Sequence, residues 1–161
     1  MRIQTRRIGI DIGKVIVGRD TDEYEAGKSQ TEIPGARETI AKLVADFGYK
    51  NVFLVSKAGA LKQIETRIWL AENNFYRDTE INPHNVIFCL HRADKAKICK
   101  SLNLTHFIDD RLEVLSHMID VVPHLYLFNP QPEEMSKFSE YIKYVYVVKN
   151  WIEVKERLLD P

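Results

Sequence analysis

The sequence predicts an α/β protein: a mainly parallel sheet, doubly wound in the Rossmann-like manner, in three layers of helix, sheet and helix. Three observations carry this prediction. Short apolar runs of strand length recur along all 161 residues, each is followed by apolar spacing typical of a helix, and several end in Asp, Ser or His-Arg. Strands that alternate with helices pair in parallel through right-handed crossovers, and the result is a layered sheet.

Residues 7 to 12 (RIGIDI) form the first such run, ending in Asp11 and then Gly13. Residues 14 to 35 are mixed and close on Pro34-Gly35, which reads as an extended loop or small hairpin. From Ala36 to Phe47, the apolar residues Ile40, Leu43, Val44 and Phe47 fall at helical spacing, and Gly48 is a suitable stop. A second strand, Asn51 to Val55, is closed by Ser56, and the helix after it carries Leu61, Ile64, Ile68 and Ala71 on one face. Asn85 to Leu90 is a third strand, Asp94 to Leu102 a shorter helix, and His106 to Ile108 a fourth strand running into Asp109-Asp110. Leu112, Leu115 and Ile119 mark a helix, His124 to Phe128 a fifth strand, and a short helix precedes a sixth strand at Tyr144 to Val148. Asn150 with Glu153 resembles a capping box for a last helix whose apolar face is Trp151, Val154 and Leu158. No repeat, low-complexity tract or linker interrupts the pattern, so residues 1 to 161 read as one domain.

Composition narrows the function. The 23 basic and 23 acidic residues balance, so no field of one sign covers the protein; a nucleic-acid role is not indicated, although a local basic patch in a neutral total leaves it possible. No apolar run is long enough to span a bilayer, and the basic start is followed by a strand-like segment broken by Asp11. Cys89 and Cys99 have neither metal-ligand nor redox spacing and read as buried thiols. Together these features point to a soluble protein of a reducing compartment, most simply the cytoplasm.

In an open parallel sheet, ligands bind outside the carboxyl ends of the strands. The residues at those ends are Asp11, Ser56, His91-Arg92 and Asp109-Asp110. A strand-terminal Asp is often only a turn former. Adjacent acids after an apolar strand are more informative, because they repel each other and a hard divalent cation such as Mg²⁺ relieves the repulsion. Ser56 could receive phosphate oxygens or could simply cap a helix. Lys95 and Lys97 stand near the start of a helix, where a lysine either faces solvent or neutralises an anion at the sheet edge. Lys95, Lys97, Lys100 and Arg92 read together as a modest basic cluster or a solvated helix face.

The combination resembles a family. Asp11 in IGIDIGKVIV, Ser56 in VFLVS, a lysine at 95 or 97 and FIDD at 107 to 110 occur in the order of the four motifs of the haloacid dehalogenase superfamily. The resemblance implies that Asp11 is a nucleophile forming an aspartyl-phosphate and that Ser56 binds a phosphoryl oxygen. It gives Lys95, closer to the helix start than Lys97, the task of steadying Asp11. Mg²⁺ would be held by Asp11, the Gly13 carbonyl, Asp109 and Asp110. One position departs from the pattern: phosphatases of this family carry a second Asp, a general acid and base, two residues after the nucleophile, where this chain has Gly13. Other members with this DxG variant still look like phosphatases. His91 and Lys14 are candidates to substitute. The resemblance therefore implies a Mg²⁺-dependent phosphatase, slow or fitted to easily released leaving groups such as sugar 1-phosphates or acyl phosphates. The other reading is a binding or regulatory module that keeps the fold with weak or no catalysis. Larger members have a cap domain, but helices and strands use most of the chain between the motifs and leave no room for one. An uncapped site would be open to a phosphorylated substrate, small or macromolecular, or covered by another subunit of a homo-oligomer.

Overall fold

In the computed structural model, residues 3–18 and 31–159 are described. Part of the loop expected between residues 14 and 35 therefore lies outside the described residues.

The first strand, β1 (Ile8–Ile10), is followed by a hairpin of β2 (Val17–Gly18) and β3 (Thr31–Glu32), so the small hairpin is present at its stems. Helix α1 (Ala36–Phe47) buries Ile40, Leu43, Val44 and Phe47, as their spacing requires, and stops at Gly48 with φ 90°. Strand β4 (Val52–Lys57) leads to α2 (Ala60–Glu72), α3 (Phe75–Thr79) and β5 (Val86–Cys89). Then come α4 (Asp94–Ser101), β6 (His106–Asp109), α5 (Leu112–Ser116) and β7 (His124–Phe128). The chain continues through α6 (Pro132–Lys137), β8 (Tyr146–Val148) and α7 (Trp151–Leu158).

Six parallel strands form one sheet in the order β5-β4-β1-β6-β7-β8. The chain builds outward from β1 to β5, returns to the far side of β1 and builds outward again to β8. Strand order therefore reverses between β1 and β6, and this is where an open α/β sheet leaves a crevice. Two apolar clusters cover the two faces. Ile8, Ile10, Val52 and Leu54 meet α1, α7 and Trp151 on one side, while Phe53, Val55, Phe107, Leu125 and Leu127 meet α5 and Cys99 of α4 on the other. Alternation along β4 feeds both clusters, the pattern of a strand covered on both faces.

The structure differs from the sequence reading at several local points. The strand expected from Asn51 starts at Val52, because Tyr49–Asn51 form a 3₁₀ turn, and the last strand is shortened from Tyr144 by another 3₁₀ turn at Ser139–Tyr144. Ser56 lies inside β4 and is not a helix cap; α2 begins after Gly59. The apolar face of α2 does not meet the core. Thr66 and Leu70 are its buried residues, while Leu61, Ile64 and Ile68 are exposed. At the last helix, Asn150 accepts from the Glu153 N–H as expected, but the Glu153 carboxylate takes the N–H of Lys149 instead of that of Asn150.

Gly9 in β1 is required by close packing. A Cβ there would lie 2.6 Å from the Phe107 ring and 2.7 Å from Leu104 Cδ1, and both neighbours are buried. Gly9→Ala is expected to cost about 1–3 kcal/mol through overpacking. Urea denaturation measures the loss, and a variant as stable as the parent would show that the Phe107 side of the sheet has slack.

Candidate functional site

The site sits at the point where strand order reverses. Asp11 directly follows β1, its N–H continuing the ladder to the Ile108 carbonyl at 2.9 Å, and Asp109 ends the neighbouring strand β6. Parallel pairing of β1 with β6 thus brings together two acids far apart in the sequence. Asp110 is the next residue, and carboxylate oxygens of Asp11, Asp109 and Asp110 lie within 4.8 Å of one another.

Helix α4 supplies the opposing charge. Its Lys95 is 3% exposed, and the ammonium donates to Asp11 Oδ1 at 3.0 Å and to Asp109 Oδ2 at 2.8 Å. Cys99, one turn further along the same face, is buried against Met118 and anchors the helix. Lys97 points the other way: its side chain is 82% exposed and lies 3.4 Å from Asp94. Of the two lysines the sequence left open, Lys95 is the one beside the acids. The basic cluster read from Arg92, Lys95, Lys97 and Lys100 is not one surface, since Lys95 is buried while Lys97 and Lys100 are exposed.

One ammonium does not balance three carboxylates. Burial, and then the nearby Asp109 charge, hold the Asp11 pKa well above the ordinary carboxylate value despite the pull of Lys95. Burial and Asp109 likewise raise Asp110 to about 6. Burial works against the Lys95 ammonium, but Asp11 and Asp109 outweigh it and lift its pKa above the usual lysine value. Asp109 is further fixed by the Arg111 N–H, which donates to its Oδ1 at 2.9 Å.

A cavity of about 250 Å³ opens over these groups, lined also by Gly13, Lys14, Ser56, Lys57, Arg92, Arg111 and Val114. Ser56 is 8% exposed and reaches it from β4. The loop after Asp11 makes a single turn closed on the Ile12 carbonyl, with Lys14 at φ 62°. Trp151 of α7 ties that turn down through its indole N–H, which donates to the Val15 carbonyl at 2.8 Å. A Cβ at Gly13 would meet nothing within 4 Å, so the absence of a side chain there is not imposed by packing.

Of the two residues considered as substitutes for the missing acid, Lys14 lines the cavity and His91 is exposed outside it. Lys57, Arg111 and the Trp151 anchor were not singled out from the sequence. Arg111 directly follows the acid pair and Lys57 directly follows Ser56, so adjacency was an available signal; for Trp151 there was none. A second cavity, about 510 Å³, lies near the other end of the sheet among Arg6, His106, His124, Tyr126, Tyr146 and Arg157, away from the acids.

No family model matches the sequence, and no curated protein matches it. Solved structures do match. The D,D-heptose 1,7-bisphosphate phosphatase of B. bronchiseptica, solved with magnesium and phosphate, aligns with TM-score 0.68 at 17% identity, over 96% of this chain and 98% of that one. The shared fold is a Rossmann-like α/β fold on a mainly parallel six-stranded sheet. A protein of Streptomyces avermitilis described as a haloacid dehalogenase-family hydrolase aligns with TM-score 0.58 at 11% identity, over 96% of this chain and 85% of that one. A Xanthomonas campestris protein of undescribed function aligns with TM-score 0.52 at 13% identity, over 91% and 73% of the two chains. Among the described residues no helix is long and apolar enough to cross a membrane.

Breaking the charge balance tests the arrangement. Lys95→Met leaves two buried carboxylates without their cation and is expected to destabilise by about 3–5 kcal/mol in chelator. Lys97→Met, at an exposed position, is expected to stay within about 0.5 kcal/mol of the parent. Denaturant melts of the two variants give the comparison, and equal small losses would mean that Lys95 is not held between the acids.

Proposed function

We propose that the protein is a Mg²⁺-dependent phosphatase of the haloacid dehalogenase type, uncapped and single-domain, with Asp11 as nucleophile. The observation that carries the reading is the Lys95 ammonium held between Asp11 and Asp109, with Asp110 beside them, where the sheet order reverses. Three acids lie together in a cavity open to solvent, two of them bonded to the one buried ammonium, and that donor set of hard oxygens suits a divalent ion that keeps some of its water. Asp11, Asp109, Asp110 and the Gly13 carbonyl would hold it. A bound Mg²⁺ supplies the positive charge that lets a carboxylate approach a phosphate dianion.

The chain's own groups then have distinct tasks. Asp11 attacks phosphorus, a P–O bond forms to its carboxylate and the bond to the leaving oxygen breaks. Lys95 favours the ionised form of Asp11 against the opposing pull of burial and Asp109, and its ammonium aims the carboxylate by fixing the oxygen it contacts. Ser56 binds a phosphoryl oxygen from the β4 side. Water then cleaves the aspartyl-phosphate at phosphorus and releases Asp11. Gly13 leaves the departing oxygen without a carboxylic acid partner, which favours leaving groups stable as anions, such as acyl phosphates and sugar 1-phosphates. Lys14, which lines the cavity, is the candidate substitute. The cations Lys14, Lys57, Arg92 and Arg111 around the mouth support a substrate with negative charge beyond the phosphoryl group. The neighbour from B. bronchiseptica, named for a heptose bisphosphate, accords with that class. The same open mouth would admit a phosphorylated macromolecule.

A second reading, a binding or regulatory module with weak catalysis, is favoured by Gly13 alone. Phosphate release from p-nitrophenyl phosphate, sugar 1-phosphates and acetyl phosphate, with and without chelator, separates the two. The parent is expected to turn over in Mg²⁺, and Asp11→Asn to lose that activity. Because the space beside Gly13 is open, Gly13→Asp is expected to raise kcat on the poorer leaving groups, toward the factor of about 10² to 10⁴ that a positioned acid contributes. Silence of both the parent and Gly13→Asp, in folded protein, would favour the binding module.

A further inference from the structure

The apolar stripe of α2 that turns away from the core has a definite pattern. Leu61, Ile64, Ile68 and Ala71 follow one another at intervals of three, four and three, the a and d positions of two heptads. Helices that pack on a globular core show a broader apolar face, whereas a strict a/d stripe is the narrower seam of a helix pair. On α2 the two roles fall on opposite sides. Thr66 and Leu70 are buried against the body of the protein, while Leu61 is 78%, Ile64 57% and Ile68 49% exposed. Single exposed aliphatic residues are ordinary. Three in heptad register on one helix, with an exposed Ala71 completing the second heptad, form a continuous patch that monomers usually avoid.

We propose that this seam pairs with α2 of a second copy of the same chain, the two helices running parallel. The charges beside the seam select that partner and direction. With Leu61 and Ile68 at a, Glu65 and Glu72 occupy e and Arg67 occupies g. In a parallel pair, Arg67 of each copy comes opposite Glu72 of the other, from g to the e position of the following heptad. An antiparallel pair would instead set glutamate against glutamate and arginine against arginine. In the single copy, the Arg67 guanidinium lies 4.9 Å from the Phe88 ring centroid and donates to the Val86 carbonyl at 3.1 Å. Pairing exchanges that neutral acceptor for a carboxylate. Two heptads bury less than the roughly 800 Å² per partner of a standard interface, so the association is weak and depends on concentration. Helix α2 begins shortly after Ser56, and parallel pairing therefore leaves both cavities open at the same end of the dimer. This inference stands apart from catalysis.

The test uses the full chain in sedimentation velocity over a concentration series reaching about 1 mM, where weak self-association becomes visible. The parent is expected to pass from monomer to dimer. The double variant Ile64→Glu/Ile68→Glu is expected to remain monomeric with an unchanged melting temperature, since both side chains are exposed. Arg67→Glu is expected to weaken the dimer, and Arg67→Glu/Glu72→Arg to restore it. Direction is read by oxidative cross-linking: Ile64→Cys meets its own copy only in the parallel pair. Cys89 and Cys99 are buried and do not compete, and Ile152→Cys, at a site 67% exposed on α7, is the control. A monomer at every concentration overturns the proposal, as does a dimer that survives the double glutamate variant. Cross-linking of Leu61→Cys to Ala71→Cys, in place of Ile64→Cys to itself, overturns the parallel arrangement.

Discussion

Three carboxylates crowd the carboxyl ends of two adjacent strands, and a buried ammonium from a helix holds two of them in place. Without Lys95, Asp11 and Asp109 would face each other in a poorly solvated corner, where like charges are costly. With it, three carboxylates still face one buried ammonium, and burial first, then the Asp109 charge, raise the pKa values of Asp11 and Asp110. The corner is thus organised but electrostatically incomplete. An incomplete acidic site that opens to solvent is suited to a cation and to an anionic substrate that arrives with one.

Much of the rest of the fold serves to produce that corner. Gly9 lets Phe107 and Leu104 press against β1, closing the contact between β1 and β6 that aligns Asp11 with Asp109. Cys99 seats α4 so that Lys95 points inward. Trp151, from the last helix, ties down the turn that follows Asp11. Elements distant in sequence therefore converge on the acids and the turn beside them.

The sheet was legible in the sequence because buried parallel strands are short continuous apolar runs, and RIGIDI, NVFLV and HLYLF stand out as such. The acids and Ser56 were legible because strand ends are where such residues matter. Choosing Lys95 over Lys97 required the direction of a helix face, which short-range spacing barely constrains. The outward stripe of α2 was misleading for a physical reason: periodicity reports that a helix is amphipathic but not which side meets the body. Thr66 and Leu70, an unremarkable pair in the sequence, turned out to be its buried contacts. The Trp151 anchor bridges residues far apart in the chain and leaves no local signal.

Calorimetric titration of the purified chain with Mg²⁺, alongside Asp109→Asn, tests the central claim most directly. The account predicts one saturable site in the parent, with the melting temperature rising as the ion is added by the ordinary mass-action effect of a ligand that binds the folded state. It also predicts the loss of both effects in Asp109→Asn. A parent that binds no Mg²⁺, or an Asp109→Asn variant that binds it equally well, would contradict the reading of Asp11, Asp109 and Asp110 as a metal-completed site.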